Sequence, residues 1–396
     1  MRLIVACSCF VVFLLYLITE KLYLSSITQE IPIRICITGT RGKSSLVRLV
    51  HKALNENGIR TLGKTTGTRP SLLLPDGSER EISRRGPPSI LEQRKILRKA
   101  HRHNVEAYVI ETMSIRPEYR IVEAKKILKP NLIGVARITR DHVAEMGNTK
   151  KKISETIAAG IPDGAEVVIG DRDFLQYAAR SLEDTKIIEA NGPAGDDRMI
   201  KNVLTKLDYW EFAENVRLAL SIVEKTGLNR KEAADGMAET RPDPGSLRAW
   251  SIPCRDVSGE NIKAVNAFAA NDPESTEIAL KKTMERLSSK GGGITGLLNL
   301  REDRGMRTLQ WKKALSRDLL SYFDRVYVLG ANAEKFQGFF QEKFVLVEAV
   351  RFTNSVKLTN KICHGVEGGG IVFGFGNIGV AGRRLVRYWS EIGELL

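Results

Sequence analysis

The 396-residue sequence contains few aromatic residues, 7% of the total, and no basic stretch that is rich in them. Lysine and arginine exceed aspartate and glutamate by 61 to 47, which gives a formal net charge of +14, but the two signs are interleaved along the chain. Proteins that hold single-stranded nucleic acid combine a basic groove with aromatic side chains that stack on the bases. The composition therefore argues against a nucleic-acid partner and favours anionic lipid or a polyanionic substrate.

The five cysteines show no regular pattern. Cys7 and Cys9 lie in the apolar N-terminus, whereas Cys36, Cys254 and Cys363 are scattered singly. An odd number without regular spacing predicts neither a disulfide framework nor a zinc site. Because isolated cysteines usually behave as small buried hydrophobes in a reducing compartment, we expect the soluble part of the chain to lie there.

The sequence has no serine, glutamine or proline tract and no internal repeat, and 42% of its residues are hydrophobic. A chain of this length and composition is typical of two globular domains. Apolar strand-like runs alternate with helical patterns on both sides of residues 241–245 (RPDPG), where two prolines and a glycine predict a linker. We predict an α/β fold with an N-terminal segment at 1–24, a parallel-sheet domain at 25–240, a linker at 241–248 and a Rossmann-like domain at 249–396.

One long hydrophobic run is present, at residues 3–18 (LIVACSCFVVFLLYLI), and it is just long enough to cross a thin membrane. Glu20 and Lys21 stand where a signal peptide would carry small residues for cleavage, which favours an uncleaved anchor. Lys21, Arg34, Arg41 and Lys43 follow the run, and positive residues tend to remain in the cytoplasm. We therefore predict a single-pass anchor in the cell membrane with the domains that follow it in the cytoplasm.

A strand pattern at Ile33–Ile37 is followed at once by TGTRGKSS (residues 38–45) and then by a helical pattern. Glycines allow backbone N–H groups to close on phosphate oxygens at a helix N-terminus, while lysine adds a charge and serine offers a hydroxyl to magnesium. The spacing Gly-x-x-Gly-Lys-Ser is two residues shorter than the common Gly-x4-Gly-Lys-Ser form, which argues against an ordinary GTPase or ATPase. The segment predicts a nucleotide phosphate site.

These residues resemble the ATP site of Mur ligases and folylpolyglutamate synthases. Further family motifs follow in the same order: GKTTGT (63–68), IETM (110–113), DHVAEMG (141–147), ENVRLAL (214–220) and PDPGSLR (242–248). Including its N-terminal anchor, the chain is similar over nearly its whole length to the ligase subunits of poly-γ-glutamate synthases. Its expected fold is thus a Mur-ligase-like ATP-binding domain followed by a Rossmann-like α/β ligase domain.

The resemblance implies an ATP-dependent amide ligase that polymerises glutamate through an acyl phosphate, with ATP and Mg²⁺ as cofactors. It implies catalytic roles for Lys43, Glu111, His142 and Arg248. It implies metal ligation by Ser44, Thr66, Glu111 and His142. The nucleotide-binding residues implied are Gly39, Thr40, Arg41, Gly42, Lys43, Ser44, Ser45, Asn215, Arg248, Asp272, Arg301, Asp303 and Arg304. Expected partners are glutamate, the growing polymer, small membrane subunits and a further copy of the chain.

The sequence departs from the family pattern at two places. Residues 157–161 (IAAGI) contain no lysine where many relatives carry a carboxylated one, which puts a second magnesium in question. Asp272 stands near a position where relatives have an Asp-x-x-His-x-Pro-like segment, and it could replace that aspartate or cap the next helix.

Other functions remain open on the motifs alone. A Mur-type ligase of different specificity would share the ATP motifs, and so would a membrane-associated P-loop ATPase. Residues 374–379 (GFGNIG) match the dinucleotide fingerprint of oxidoreductases. However, only 17 residues follow Gly379, too few for the rest of a dinucleotide site, so we predict a tight strand-to-helix turn there.

Overall fold

The computed structural model describes residues 2–141, 143–178, 182–183, 185–191, 196–254, 261–287, 292–301, 305–330, 332–340, 345–366 and 369–396. The chain forms two compact units. The first comprises Met1–Lys206 and Phe212–Thr240, and the second comprises Leu207–Glu211 and Arg241–Leu396. We predicted a single boundary near residue 240, whereas the short segment Leu207–Glu211 also belongs with the second unit.

The first unit is built on an eight-stranded sheet in the order β4-β3-β2-β5-β1-β6-β7-β8. The six strands from β2 to β8 are parallel neighbours, and β3 and β4 add an antiparallel edge. Its strands are β1 Ile33–Thr38, β2 Thr61–Thr65, β3 Ser71–Leu73, β4 Glu79–Glu81, β5 Ala107–Glu111, β6 Leu132–Val135, β7 Glu166–Ile169 and β8 Ile187–Glu189.

Helices cover this sheet because their apolar positions recur with helical spacing, as in α2, where Leu46, Val47, Leu49, Val50 and Leu54 are all buried. A π-helix at Val122–Leu128 continues α4. The α-helices are α1 Arg2–Gln29, α2 Lys43–Glu56, α3 Glu92–Arg102, α4 Pro117–Ile121, α5 Val143–Met146, α6 Lys150–Ala158, α7 Arg172–Ala178, α8 Asp196–Lys206, α9 Ala213–Glu224 and α10 Arg230–Met237.

Helix α1 contains the predicted membrane anchor. It is long and apolar enough to cross a membrane, and its apolar part is exposed. Only its last turns join the globular unit, where Ile27 and Thr28 are buried.

The second unit has a seven-stranded sheet in the order β13-β12-β11-β14-β10-β9-β15. Five strands are parallel, and β9 and β15 pair antiparallel at one edge. Its strands are β9 Arg248–Ile252, β10 Ile262–Asn266, β11 Ile294–Leu300, β12 Arg325–Gly330, β13 Leu346–Ala349, β14 Ile371–Phe375 and β15 Glu394–Leu395, and its α-helices are α11 Pro273–Leu287, α12 Gly305–Arg317, α13 Ala333–Gln337, α14 Ser355–Gly365 and α15 Gly379–Ile392. Short 3₁₀ turns lie at Leu319–Tyr322 and Gly338–Phe340.

The predicted α/β class is confirmed. Residues 376–378 form the predicted turn from β14 into α15, with Gly376 at a φ of 96°. After α15 comes the short strand β15, which pairs antiparallel with β9.

The prediction of unpaired cysteines was wrong for Cys254 and Cys363, which form a disulfide with their Cα atoms 5.6 Å apart. Cys254 follows β9 and Cys363 lies in α14, 109 residues later. This pairing depends on a tertiary contact between a strand end and a distant helix, which cysteine spacing does not reveal. The cysteines therefore no longer support a reducing compartment, because disulfides are rare there.

Candidate active site

The loop between β1 and α2 is held in a conformation that glycine alone adopts easily. Gly39 and Gly42 have φ values of 126° and 83°. A Cβ at Gly39 would lie 2.9 Å from the Cβ of Ala136, and one at Gly42 would lie 2.8 Å from Oδ1 of Asn215. The two glycines therefore allow the loop to lie directly against the segment after β6 and against α9, which places Asn215 beside the loop.

Threonine side chains fix the middle of the same loop. The Thr40 amide and hydroxyl both donate to the carbonyl of Arg137, at 3.1 and 3.0 Å, and the Thr139 amide donates to the Thr40 hydroxyl at 2.7 Å. Arg41 forms an ion pair with buried Asp141, with 3.0 Å between Nη2 and Oδ2. The carboxyl end of β6 and the phosphate loop thus form one assembly.

Lys43 is the first residue of α2, and its ammonium lies back over the loop. Its Nζ donates to the Gly39 carbonyl at 3.0 Å and lies 3.8 Å from Oε1 of Glu111. Burial lowers the pKa of Lys43, whereas the charge of Glu111 acts in the opposite direction. The paired carboxylate thereby helps to keep a cation at the position from which a phosphate oxygen would be bound.

Glu111 ends β5 and is the carboxylate at the centre of the site, with an exposure of 4%. Its Oε2 accepts hydrogen bonds from the Ser44 hydroxyl and the Thr66 amide, both at 2.7 Å. Gly67 makes room for this arrangement, since a Cβ there would lie 2.6 Å from Oγ of Ser44. The structure therefore brings together the three predicted metal ligands Ser44, Thr66 and Glu111.

This oxygen-rich cluster fits magnesium. Mg²⁺ is usually held by one or two carboxylates together with waters and substrate phosphates, and not by an all-protein cage. Within the described residues, no group of three or more His, Cys, Asp or Glu side chains that could hold a metal occurs. His142, the fourth predicted ligand, lies outside the described residues, although its neighbour Asp141 reaches the loop through Arg41.

Of the residues predicted in the second unit, those that the structure describes follow β10 or β11 in the chain or begin β9. Asp272 precedes α11, and its carboxylate accepts hydrogen bonds from the amide of Ser275 at 2.9 Å and its hydroxyl at 2.7 Å, so it caps that helix. Arg301 directly follows β11 and is exposed. Arg248 begins β9 and pairs with Asp208 at 2.5 Å. Asp303 and Arg304 lie outside the described residues, so their predicted roles, like the nucleotide roles of Asp272, Arg301 and Arg248, stay predictions.

Residues behind the site were missed by the sequence analysis. Glu123, fully buried in the π-helix, accepts hydrogen bonds from the amides of Met113 at 3.0 Å and Ser114 at 2.9 Å, just after Glu111. Buried Arg120 donates to Oγ1 of Thr38 at 2.6 Å and to the Ser114 carbonyl at 2.8 Å. These two side chains tie together the ends of β1 and β5. No sequence signal distinguishes them, because charged residues at helical spacing usually lie on a solvated face.

Comparisons with known proteins agree with this geometry. Residues 37–207 match the Mur ligase middle domain, and residues 252–392 match the poly-gamma-glutamate synthase CapB C-terminal domain. PGA synthase CapB of Bacillus subtilis (strain 168) is 29% identical over 98% of this chain and 97% of its own length. Capsule biosynthesis protein CapB of Bacillus anthracis is 32% identical over 81% of this chain and 68% of its own length.

Solved structures show the same fold at low identity. A bifunctional folylpolyglutamate synthase/dihydrofolate synthase with Mn, AMPPNP and L-glutamate bound has a TM-score of 0.67, at 13% identity over 94% of this chain and 92% of that one. Mycobacterium tuberculosis folylpolyglutamate synthase complexed with ADP and AMPPCP has a TM-score of 0.62, at 15% identity over 95% and 96% of the two chains. The predicted resemblance is confirmed, and the chain belongs to the CapB family of poly-γ-glutamate synthases.

Proposed function

We propose that the chain is an ATP-dependent amide ligase that polymerises glutamate into poly-γ-glutamate. The main support is that Ser44, the Thr66 amide and Lys43 all contact Glu111 at one strand-loop-helix junction. A phosphate loop with an adjacent metal carboxylate supports phosphoryl transfer, and membership of the CapB family supports glutamate as the substrate.

The proposed reaction has two steps. The carboxylate of the acceptor attacks the γ-phosphorus of ATP, so that an acyl phosphate forms and ADP leaves. The amine of the incoming glutamate then attacks the acyl carbon, an amide forms, and phosphate and a proton leave. Since the acyl phosphate is already an electrophile, the protein acts mainly by positioning the reactants and neutralising charge.

The protein groups for this task lie at the loop. Its backbone and Lys43 would bind the nucleotide phosphates, with Asn215 beside Gly42 lining the same site. Ser44, Thr66 and Glu111, with His142 as a further ligand, would hold a magnesium ion that neutralises phosphate charge. The nucleotide-binding residues proposed in the second unit are Arg248, Asp272, Arg301, Asp303 and Arg304.

The proposed location is the cell membrane, with α1 as the anchor and the two units in the cytoplasm. Support comes from the exposed apolar length of α1 and from Lys21 and Arg34, which follow it. Small membrane subunits and a second copy of the chain are proposed partners, on the basis of the family.

Polymer synthesis by membranes that contain the full-length protein tests this function. Labelled glutamate with ATP and Mg²⁺ should enter acid-insoluble polymer, and Glu111→Gln should reduce incorporation by roughly 100-fold or more, because it removes a metal-binding charge. Glu118→Gln, the same change at an exposed position of α4, is the matched control and should leave incorporation intact. Full activity of Glu111→Gln would refute the proposed site.

A further inference from the structure

Helix α1 is docked on the first unit by its C-terminal part, immediately after the apolar run. Glu20 forms ion pairs with Arg94, at 3.0 Å, and with Arg98 of α3. Further along α1, Ser25 accepts a hydrogen bond from Nζ of Lys129 at 2.7 Å, and Leu24 packs against the core. These contacts fix the direction in which the apolar residues leave the globular unit.

The order of contacts shows that α1 and α3 run parallel. Glu20 contacts Arg94 and Arg98, whereas the later Tyr23 lies edge-on to the ring of His101, with centroids 6.3 Å apart. Glu30, beyond the end of α1, also contacts His101, at 3.1 Å. The N-terminal end of α3 therefore points in the same direction as the apolar part of α1.

The N-terminal end of α3 lies at the carboxyl edge of the first sheet. Glu92 and Gln93 in its first turn bind Nζ of Lys64, at 2.7 and 2.8 Å, and Lys64 is the penultimate residue of β2. The other end of α3 leads into Ala107, the first residue of β5 at the opposite edge. Similarly, α1 ends four residues before β1 begins. Both connections place the apolar part of α1 beyond the carboxyl edge, where the phosphate loop, Thr66 and Glu111 lie.

The apolar run ends at Ile18, and Glu20 follows two residues later, a rise of about 3 Å along a helix. A bilayer around the run would thus have its surface close to the level of the first turns of α3. The chain presents basic and apolar side chains at this level. Arg85 and Lys95 are exposed, as are Pro87, Pro88 and Leu91, the last with an exposure of 52%. Mixed cationic and apolar side chains suit the surface of an anionic membrane.

We propose that the catalytic edge of the first unit faces the membrane, and that residues 85–95 contact anionic lipid headgroups. The inference rests on the proposed membrane anchor. In this orientation the phosphate loop opens towards the bilayer surface, so the growing polymer is made beside the membrane and not at the distal side of the protein.

Depth-dependent fluorescence quenching tests this orientation in the full-length protein. A fluorescent label on the native Cys9 lies within the anchor once Cys7 is changed to serine. The variants Leu91→Cys and Arg102→Cys, each made with both Cys7 and Cys9 changed to serine, place the label at the two ends of α3. Cys36 is buried and Cys254 is bonded to Cys363, so these positions should not take the label. The labelled proteins are placed in vesicles of phosphatidylcholine and phosphatidylglycerol that contain a lipid with a nitroxide either on its headgroup or midway along its acyl chain.

We expect the headgroup nitroxide to reduce fluorescence at position 91 and not at position 102, which lies about 16 Å further along α3, and the acyl-chain nitroxide to reduce fluorescence at Cys9. The orientation would be overturned if fluorescence were lost at Cys9 but unaffected at position 91. Equal losses at positions 91 and 102 would overturn it as well. Fluorescence retained at Cys9 would instead refute the membrane anchor itself. In vesicles of phosphatidylcholine alone the loss at 91 should be smaller, and an equal loss would overturn the contact with anionic headgroups.

Discussion

Glu111 connects three elements of the candidate site through a single side chain. It reaches Ser44 at the start of α2, the amide of Thr66 after β2, and Lys43 across 3.8 Å. A buried carboxylate is costly unless donors or cations surround it, so this arrangement offsets the burial of a charged group. The same donors orient the carboxylate towards the phosphate loop, where a metal-bound nucleotide would lie.

His51 on α2 makes the stability of the protein sensitive to pH. Burial lowers its pKa to about 4, and its Nε2 lies 3.1 Å from the Thr61 carbonyl. Between pH 6.5 and about 4, His51 binds a proton in the unfolded chain but not in the folded protein. The stability that neutral His51 contributes is therefore complete above pH 6.5 and is lost as the pH falls to about 4. The loss from this group is roughly 3 kcal/mol.

Urea denaturation of the full-length protein across this pH range measures the effect. His51→Asn should be less sensitive to acid than the wild type, whatever its absolute stability, while His103→Asn, a change at a partly exposed histidine, should keep the wild-type slope. Identical pH slopes for wild type and His51→Asn would contradict the interpretation.

At the scale of elements, the π-helix Val122–Leu128 supports the strand ends that carry the site. Glu123 accepts hydrogen bonds from the amides of Met113 and Ser114 and, at 2.6 Å, from Nε2 of Gln93. Single π-helical turns occur frequently at functional sites. We infer that this element holds the segment after Glu111 in place.

Removal of this support should be costly. Glu123→Ala leaves several buried donors without an acceptor and should destabilise the protein by about 3–5 kcal/mol. Thermal unfolding of the full-length protein measures the change, and Glu118→Ala, at an exposed position of the adjacent helix, is the matched control. Equal midpoints for the two variants would show that the network contributes little.

The sequence predicted some elements well because local chemistry determines them. The phosphate loop followed from Gly39, Gly42 and Lys43, since few other structures require glycines and a lysine at a strand-to-helix junction. The π-helix and the roles of Arg120 and Glu123 could not be predicted, because they depend on which strand ends lie beside them. The same limit explains the missed Cys254–Cys363 disulfide, which joins residues far apart in the sequence.

At the scale of the whole molecule, this disulfide closes a loop of more than 100 residues in the second unit. A cross-link of this kind typically contributes about 2–4 kcal/mol by restricting the unfolded chain. Cys363→Ser should therefore lower the urea midpoint under oxidising conditions, and a reducing agent should lower that of the wild type to a similar value. Cys7→Ser, at an exposed position of α1, is the control for loss of a cysteine outside the disulfide. A wild-type midpoint indifferent to reduction would contradict the prediction.

A ligase that polymerises glutamate must couple ATP consumption to glutamate. The most direct measurement is ADP release by the full-length protein with ATP and Mg²⁺, with each amino acid supplied in turn, for wild type and Lys43→Ala. If the protein is this ligase, ADP release should depend on glutamate and should be lost in Lys43→Ala while the variant remains folded. Release that is indifferent to amino acids, or that persists fully in Lys43→Ala, would contradict it and favour an ATPase or a different nucleotide site.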